Sequence, residues 1–139
     1  MRFMPFMHWS DAYCNGISLF DAEHKRLLDM ANDLYDAVLN GSSADVVRQV
    51  FHKLLAYTDY HFEHEEAFFT ESGYPHNAAH IDRHNWMRQQ VIDFEKASRH
   101  IPAELQAIEM AKFLKNWLEI HILKDDREYA RYLVARGVH

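Results

Sequence analysis

The sequence predicts an all-α fold: an antiparallel up-down-up-down four-helix bundle with an irregular N-terminal arm. Apolar residues recur at helical spacing through four long segments, and no segment alternates apolar and polar residues as a half-buried strand does. Gly, Pro, Ser and Asn separate these segments and leave short connections, which favour antiparallel neighbours. We therefore expect one domain over 1–139, with the arm at 1–17 and the bundle at 18–139.

The first two predicted helices have clear stop signals. The first begins near Asp21, a candidate N-cap, and ends at Asn40-Gly41, where glycine favours termination. The second begins after Ser42-Ser43 and continues to the helix-breaking run 72–75. Aromatic residues of the arm are expected to pack on the bundle; they are Phe3, Phe6, Trp9 and Tyr13.

The third predicted helix starts around Asn77 and ends before the stretch 98–102. Pro102 suits the first position of the fourth helix, because that position does not need a backbone N–H. The fourth helix is expected to end near Gly137. Its inner face, from the apolar period, is predicted to contain Leu105, Ile108, Phe113, Trp117, Ile120 and His121.

Composition excludes several classes of protein. A net charge of −6 without a Lys/Arg cluster argues against a nucleic-acid partner. No apolar run is long enough for a membrane span, and no secretory leader is recognisable, so a cytoplasmic protein is expected. The single cysteine, Cys14, excludes an intrachain disulfide framework and is expected to be a small packed side chain.

Seven side chains of metal-ligand type are spread over the four predicted helices, and each helix has at least one on its inner stripe. Residues four apart share a helix face, so each of the pairs His61/Glu65 and His80/His84 can point at one metal. Polar groups on apolar stripes are costly to bury unless they are paired or bound to metal. A single histidine on an apolar face is common in proteins. Ligand-type residues on all four helices are not, and they predict a site for about two metal ions. The candidate ligands are His24, His61, Glu65, His80, His84, His121 and Asp126.

The types of ligand residue limit which metals and cofactors the site could bind. Eleven histidines with one cysteine suit iron, zinc, copper or manganese better than an iron–sulfur cluster. The sequence contains no Glu-x-x-His, Cys-x-x-Cys-His or His-Glu-x-x-His motif, which disfavours carboxylate-rich di-iron oxidases, covalent haem and zinc peptidases. His64 is expected to have an outer or surface role, and the acids of 63–66 other than Glu65 are expected to be solvated. The remaining histidines are also expected to be solvated; they are His8, His52, His76, His100 and His139.

Ordered motifs spread over nearly the whole chain resemble the hemerythrin family, specifically its single-domain bacterial members. They are Trp9-Ser10, Gly16-Ile17, Asp21-x2-His24-Lys25, His61-Phe62-x2-Glu65-Glu66, Gly73-Tyr74-Pro75, His80-x3-His84 and Trp117-Leu118-x2-His121-x4-Asp126. The resemblance implies a non-haem di-iron centre (Fe²⁺/Fe³⁺) with a bridging oxo or hydroxo group. One iron would take His80, His84 and His121, the other His24 and His61, and Glu65 and Asp126 would bridge them. Dioxygen would then bind at the open position of the two-histidine iron.

Helix geometry and the resemblance disagree about one acid. On an ideal helix Asp126 lies about 140° around the axis from His121, whereas Asp125 lies only about 40° away. Bare geometry therefore favours Asp125, and the family pattern favours Asp126. We follow the family pattern, because the fourth helix approaches the site at its own angle.

Reversible dioxygen binding for carriage, storage or delivery is the leading functional hypothesis, without enzymatic turnover. The same site would also serve oxygen or redox sensing through a separate partner, peroxide or nitric oxide handling, or iron buffering. An oxygen-consuming enzyme or a signalling protein is a candidate partner, and a monomer is expected.

Overall fold

A computed structural model describes residues 9–97 and 102–138, and over these residues every regular element is helical. A short 3-10 turn, Asp11–Tyr13, precedes the bundle. The first three helices are α1 (Ser18–Leu39), α2 (Ala44–Ser72) and α3 (Asn77–Ala97). The fourth is continuous and consists of α4 (Ala103–Ile120), a π-helical segment (His121–Asp126) and α5 (Arg127–Val134). The predicted all-α four-helix bundle is confirmed.

Most helix ends follow the sequence signals. The Ser43 hydroxyl accepts a hydrogen bond from the Val46 N–H at 3.3 Å and so caps the start of α2. Gly73, in the left-handed region at φ 67°, ends the same helix. Pro102 immediately precedes α4 instead of forming its first residue.

The prediction that Asp21 caps the first helix is wrong. Helix α1 begins at Ser18, and Asp21 lies within its first turn. Its carboxylate accepts hydrogen bonds from the backbone N–H of Asn15 at 2.8 Å and of Gly16 at 3.3 Å. Asp21 therefore fixes the arm against α1, because it satisfies donors that precede the helix.

The inner face of the fourth helix is offset from the predicted one. Leu105 and Ile120 are exposed, at 56% and 62%, although the apolar period placed them inside. Phe113 and Trp117 lie at the margin of the buried face, and the small Ala111 lies within it. Phe113 and Trp117 reach the core with large rings although they lie at the edge of the face, so their positions gave the wrong centre for the predicted inner face. Among the residues whose side chains are described, the buried apolar ones are Ala111, Leu114, Leu118 and Ile122, and His121 is also buried.

Two apolar clusters fill the bundle. The larger includes Leu34, Leu54 and Phe62, and the smaller includes Phe69 and Tyr129. Phe62 stacks on the His84 ring at 4.0 Å between centroids, and Phe69 lies 4.4 Å from the His80 ring. The candidate ligands are therefore in contact with both clusters, which surround them with apolar side chains.

The described part of the arm packs partly as expected. Trp9 and Tyr13 stack on each other with centroids 5.5 Å apart, and both contact the larger cluster. Cys14 is exposed, so the prediction of a packed cysteine is wrong; the chain turns it outward between Tyr13 and Asn15. Phe3 and Phe6 lie outside the described residues. Within 9–97 and 102–138, none of the helices combines the length and apolar character needed to cross a membrane.

Leu34→Ala tests the larger cluster. Leu34 is completely buried, so truncation should lower the free energy of unfolding by about 2–5 kcal/mol through lost contacts and a cavity. Leu39→Ala is the matched control, because Leu39 is 63% exposed at the end of the same helix and should change stability by less than about 0.5 kcal/mol. Urea unfolding of the metal-free protein measures both. Equal losses would contradict the assigned core.

Candidate metal centre

All four helices contribute to one buried polar centre. Each of its side chains is no more than 3% exposed. Helix α1 contributes one residue, and α2, α3 and the π-helical segment contribute two each. The structure thus brings together all seven residues singled out in the sequence: His24, His61, Glu65, His80, His84, His121 and Asp126.

These residues form two groups that share both carboxylates. Within each group the ligand atoms lie within 4.8 Å of one another. One group contains two histidines, His24 and His61, and the other contains three histidines. The shared members are Glu65 and Asp126. This division matches the one that the family resemblance implied.

Each shared carboxylate directs one oxygen to each group. Asp126 Oδ2 lies 2.9 Å from His24 Nε2, while its Oδ1 lies 2.9 Å from His80 Nε2 and 3.0 Å from His121 Nε2. Glu65 Oε1 contacts His61 Nε2 and lies 3.6 Å from His24 Nε2. Its Oε2 lies 3.8 Å from His80 Nε2. A carboxylate in this position can bridge two cations.

Many of these buried atoms lack a hydrogen bond despite their short separations. They include Nε2 of His24, His61 and His80, Oε1 of Glu65 and both carboxylate oxygens of Asp126. Buried polar atoms are rarely left unpaired, so such a concentration points to a bound species. Imidazole nitrogens with carboxylate oxygens suit iron and similar metals. The residues present therefore fit two metal ions.

The close packing of charge shifts the pKa values within the centre. Burial lowers the pKa of His24, but the nearby carboxylates of Asp126 and Glu65 outweigh it and raise the value to about 9. The same balance raises the pKa of His121 to about 9, with Asp126 as the main partner. His84 differs, because burial dominates and lowers its pKa to about 4. Burial raises the pKa of Glu65, but its histidine partners lower it to about 2.

The π-helical segment places the two neighbouring acids, Asp125 and Asp126, differently. In a π turn the backbone bonds from i to i+5, which adds a residue to the turn and brings positions five apart onto one face. Asp126 lies inward with His121: its Oδ1 is 3.0 Å from His121 Nε2, and its side chain is buried. Asp125 instead accepts a hydrogen bond from His121 Nδ1 at 3.3 Å and lies 3.5 Å from Arg83.

The N-terminal arm supports this segment. The Asn15 side chain donates a hydrogen bond to the Ile122 carbonyl at 3.2 Å. Arg127 donates to the Asn15 side-chain oxygen at 3.2 Å and to the Ala12 carbonyl. A π turn leaves backbone groups less well matched than an α-helix does, so these contacts help to hold it.

Two acids that contact the centre were not found from the sequence. Glu66 was expected to be solvated, but Arg88 binds it with two hydrogen bonds of 3.0 Å, and it lies 3.7 Å from His84 Nδ1. Glu23 is buried against His61, which lies 38 positions away along the chain. Neither contact has a local spacing signal, because each joins two different helices.

The remaining histidines mostly behave as expected. His64 stays outside the centre, and its Nδ1 lies 2.7 Å from Glu23 Oε2. His76 is 63% exposed, and His52 is also exposed. His8, His100 and His139 lie outside the described residues.

A small cavity adjoins the two-histidine group. Its volume is about 10 Å³, room for about one molecule the size of water. The centre contributes His24, Glu65 and Asp126 to its wall, and no histidine of the other group lines it. Its other lining residues are mostly apolar: Asn15, Ile17, Phe20, Tyr129 and Ala130. The cavity therefore lies on the side of the centre that has fewer ligands.

Comparison with known proteins gives a consistent result. A family model described as the hemerythrin HHE cation binding domain matches residues 15–133. A bacteriohemerythrin of Stenotrophomonas maltophilia is 33% identical over 135 residues, which cover 95% of this chain and 84% of that protein. One from Methylococcus capsulatus is 30% identical, and the match covers 95% of this chain and 100% of that protein. A crystal structure of wild-type hemerythrin superposes with a TM-score of 0.81 at 27% identity, over 92% of this chain and 98% of that one.

Alanine substitution separates the roles of the two acids. Asp126→Ala removes the oxygens shared by both groups, and we expect it to abolish binding of two metal ions per chain. Asp125→Ala removes only an outer partner of His121, so two ions should still bind, with affinity lowered by about 10–100-fold at one position. Metal analysis after dialysis measures both. The assignment is wrong if Asp125→Ala loses the metal and Asp126→Ala keeps it.

Metal loading should release protons at pH 7. With pKa values of about 9, His24 and His121 are protonated in the metal-free protein at that pH. A metal ion needs the lone pair of a neutral imidazole, so binding displaces these protons. The release should diminish above pH 9, where both rings are already neutral. Calorimetric titration in buffers of different ionisation enthalpy counts the protons, and binding without release at pH 7 would contradict the assigned protonation.

Proposed function

Because the chain belongs to the hemerythrin family, we propose that its buried centre holds two iron ions and reversibly binds dioxygen at one of them. The seven ligands would be His24, His61, Glu65, His80, His84, His121 and Asp126, with an oxo or hydroxo group between the irons. The role would be oxygen carriage, storage or delivery.

The unequal ligand supply of the two groups carries this proposal. Both groups share Glu65 and Asp126, but one has three histidines and the other has only two. With the same two carboxylates, a metal at the two-histidine group would have one protein ligand fewer and so one more position for another ligand. The small, mostly apolar cavity borders that group and not the other. A small neutral ligand such as dioxygen suits this position.

The protein's own residues would hold the pair and restrict water. A bound iron pair would supply the two electrons that dioxygen binding requires. Glu65 and Asp126 keep the two positions at a fixed separation, because each directs one oxygen to each group. Phe20 and Tyr129 line the cavity and are almost fully buried, so they limit the water and protons that reach it.

These features favour a carrier over an enzyme. The cavity has little room beyond a small gas, and its non-ligand lining is mostly apolar. We propose one functional domain over the whole chain. A monomeric state and a cytoplasmic location stay predictions from the sequence.

Mixing the reduced, iron-loaded protein with dioxygen tests this function. We expect an oxygenated absorption spectrum that persists and disappears when oxygen is removed, because the buried, mostly apolar lining limits the access of water and protons. Rapid-mixing absorption spectroscopy under repeated cycles of oxygen and argon measures it. Immediate and irreversible oxidation would contradict the carrier role.

A measurement of the metal content is the control for this experiment, because it shows whether the protein holds two irons. Aerobically purified protein should contain two irons per chain and show near-ultraviolet charge-transfer bands from an oxo bridge. One zinc per chain would overturn the di-iron assignment itself, and Asp126→Ala provides the matched protein without the bridging ligand.

A further inference from the structure

Three carboxylates outside the seven-residue centre face the outer nitrogens of its histidines. Glu23 Oε1 lies 2.6 Å from His61 Nδ1, whereas Asp125 lies 3.3 Å from His121 Nδ1 and Glu66 lies 3.7 Å from His84 Nδ1. The contact with Glu23 is the shortest of these three. It is also the one that serves the two-histidine group.

Glu23 is held on both of its oxygens. Its second oxygen, Oε2, lies 2.7 Å from Nδ1 of His64, which stands one helical turn after His61 on α2. Glu23 is only 5% exposed, whereas His64 is partly exposed. The Phe20 ring packs edge-on against both imidazoles, with centroid distances of 6.1 and 6.0 Å. The carboxylate of Glu23 therefore lies between the imidazoles of His61 and His64, and the packing of Phe20 restricts the orientation of both imidazoles.

The hydrogen bond between Glu23 and His61 determines which nitrogen of His61 is available to the centre. A neutral imidazole carries one proton, and its other nitrogen supplies the lone pair that binds metal. Because Glu23 accepts a hydrogen bond at Nδ1, the proton is held there and Nε2 is left free to face Glu65. Glu23 also precedes His24 directly on α1, so its position is linked to both histidines of this group.

We propose that Glu23, anchored by His64, is a positioning residue for the two-histidine metal position, which it preorganises by fixing the tautomer and orientation of His61. This inference rests on the proposed function, since it requires metal at the centre. The three-histidine group has different outer partners: Asp125 near Arg83, and Glu66 bound by Arg88. Loss of the Glu23 carboxylate should therefore weaken metal binding at the two-histidine position and not at the three-histidine position.

Glu23→Gln is the direct test. The glutamine keeps the size of the side chain but accepts through one oxygen only, so His61 and His64 cannot both donate to it. Cobalt(II) added to the metal-free protein, followed by absorption spectroscopy and calorimetry, reports both positions without dioxygen chemistry. Glu71→Gln is the control, because it makes the same charge change at an exposed site on the same bundle.

We expect wild type and Glu71→Gln to bind two cobalt ions with the same affinities. Glu23→Gln should bind one ion as wild type does and the other about 10–100-fold more weakly. Unchanged binding of both ions, or equal weakening of both, would overturn the inference. A wild-type protein that binds fewer than two ions would instead overturn the proposed function and this inference with it.

A second comparison shows whether Glu23 acts through His61. In a His61→Ala background, Glu23→Gln should cause no further loss of cobalt affinity, because the ring that it positions is gone. Full additivity of the two losses would overturn the positioning role. Circular dichroism of each metal-free variant checks that the bundle is folded, so a general loss of structure is not mistaken for the selective effect.

Discussion

The two carboxylates of Glu65 and Asp126 each contact both halves of a buried histidine set, and the rest of the structure depends on that sharing. Without them, the Nε2 atoms of His24, His61 and His80 would be buried with no carboxylate beside them, which is costly. With them, four helices are tied to one point, since each carboxylate contacts histidines from helices other than its own. Apolar packing above and below then keeps water away. The site and the fold therefore stabilise each other.

Asp126 takes part in this sharing only because the fourth helix changes its winding. The π-helical segment places Asp126 on the face of His121, while Asp125 remains available on the outer side as a partner for the same ring. The arm contributes through Asn15, which contacts the Ile122 carbonyl of this segment. A local irregularity in the helix, held by a distant part of the chain, thus gives two adjacent acids two different positions.

The two groups differ in the carboxylates that contact the outer nitrogens of their histidines, as they differ in the number of those histidines. The three-histidine group is backed by acids that face arginines, at longer distances from the imidazoles. The two-histidine group is backed by a buried acid held between two histidines, and it borders the small cavity. The outer contact is thus shortest at the group with fewer histidines, where fewer protein atoms define the geometry.

The sequence by itself determined the four helices, most of their ends and six of the polar residues of the centre, whereas Asp126 was singled out only by the family pattern. Helical periodicity is local, so His61/Glu65 and His80/His84 identify their own shared faces, and Gly73 marks its own helix end. Tertiary structure alone decided that Asp126 faces inward, that Glu23 meets His61, and that Leu105 and Ile120 stay exposed. Each of these outcomes depends on how two distant segments pack, or on a π turn whose extra residue shifts the phase of the helix. Spacing along one ideal helix contains no information about either.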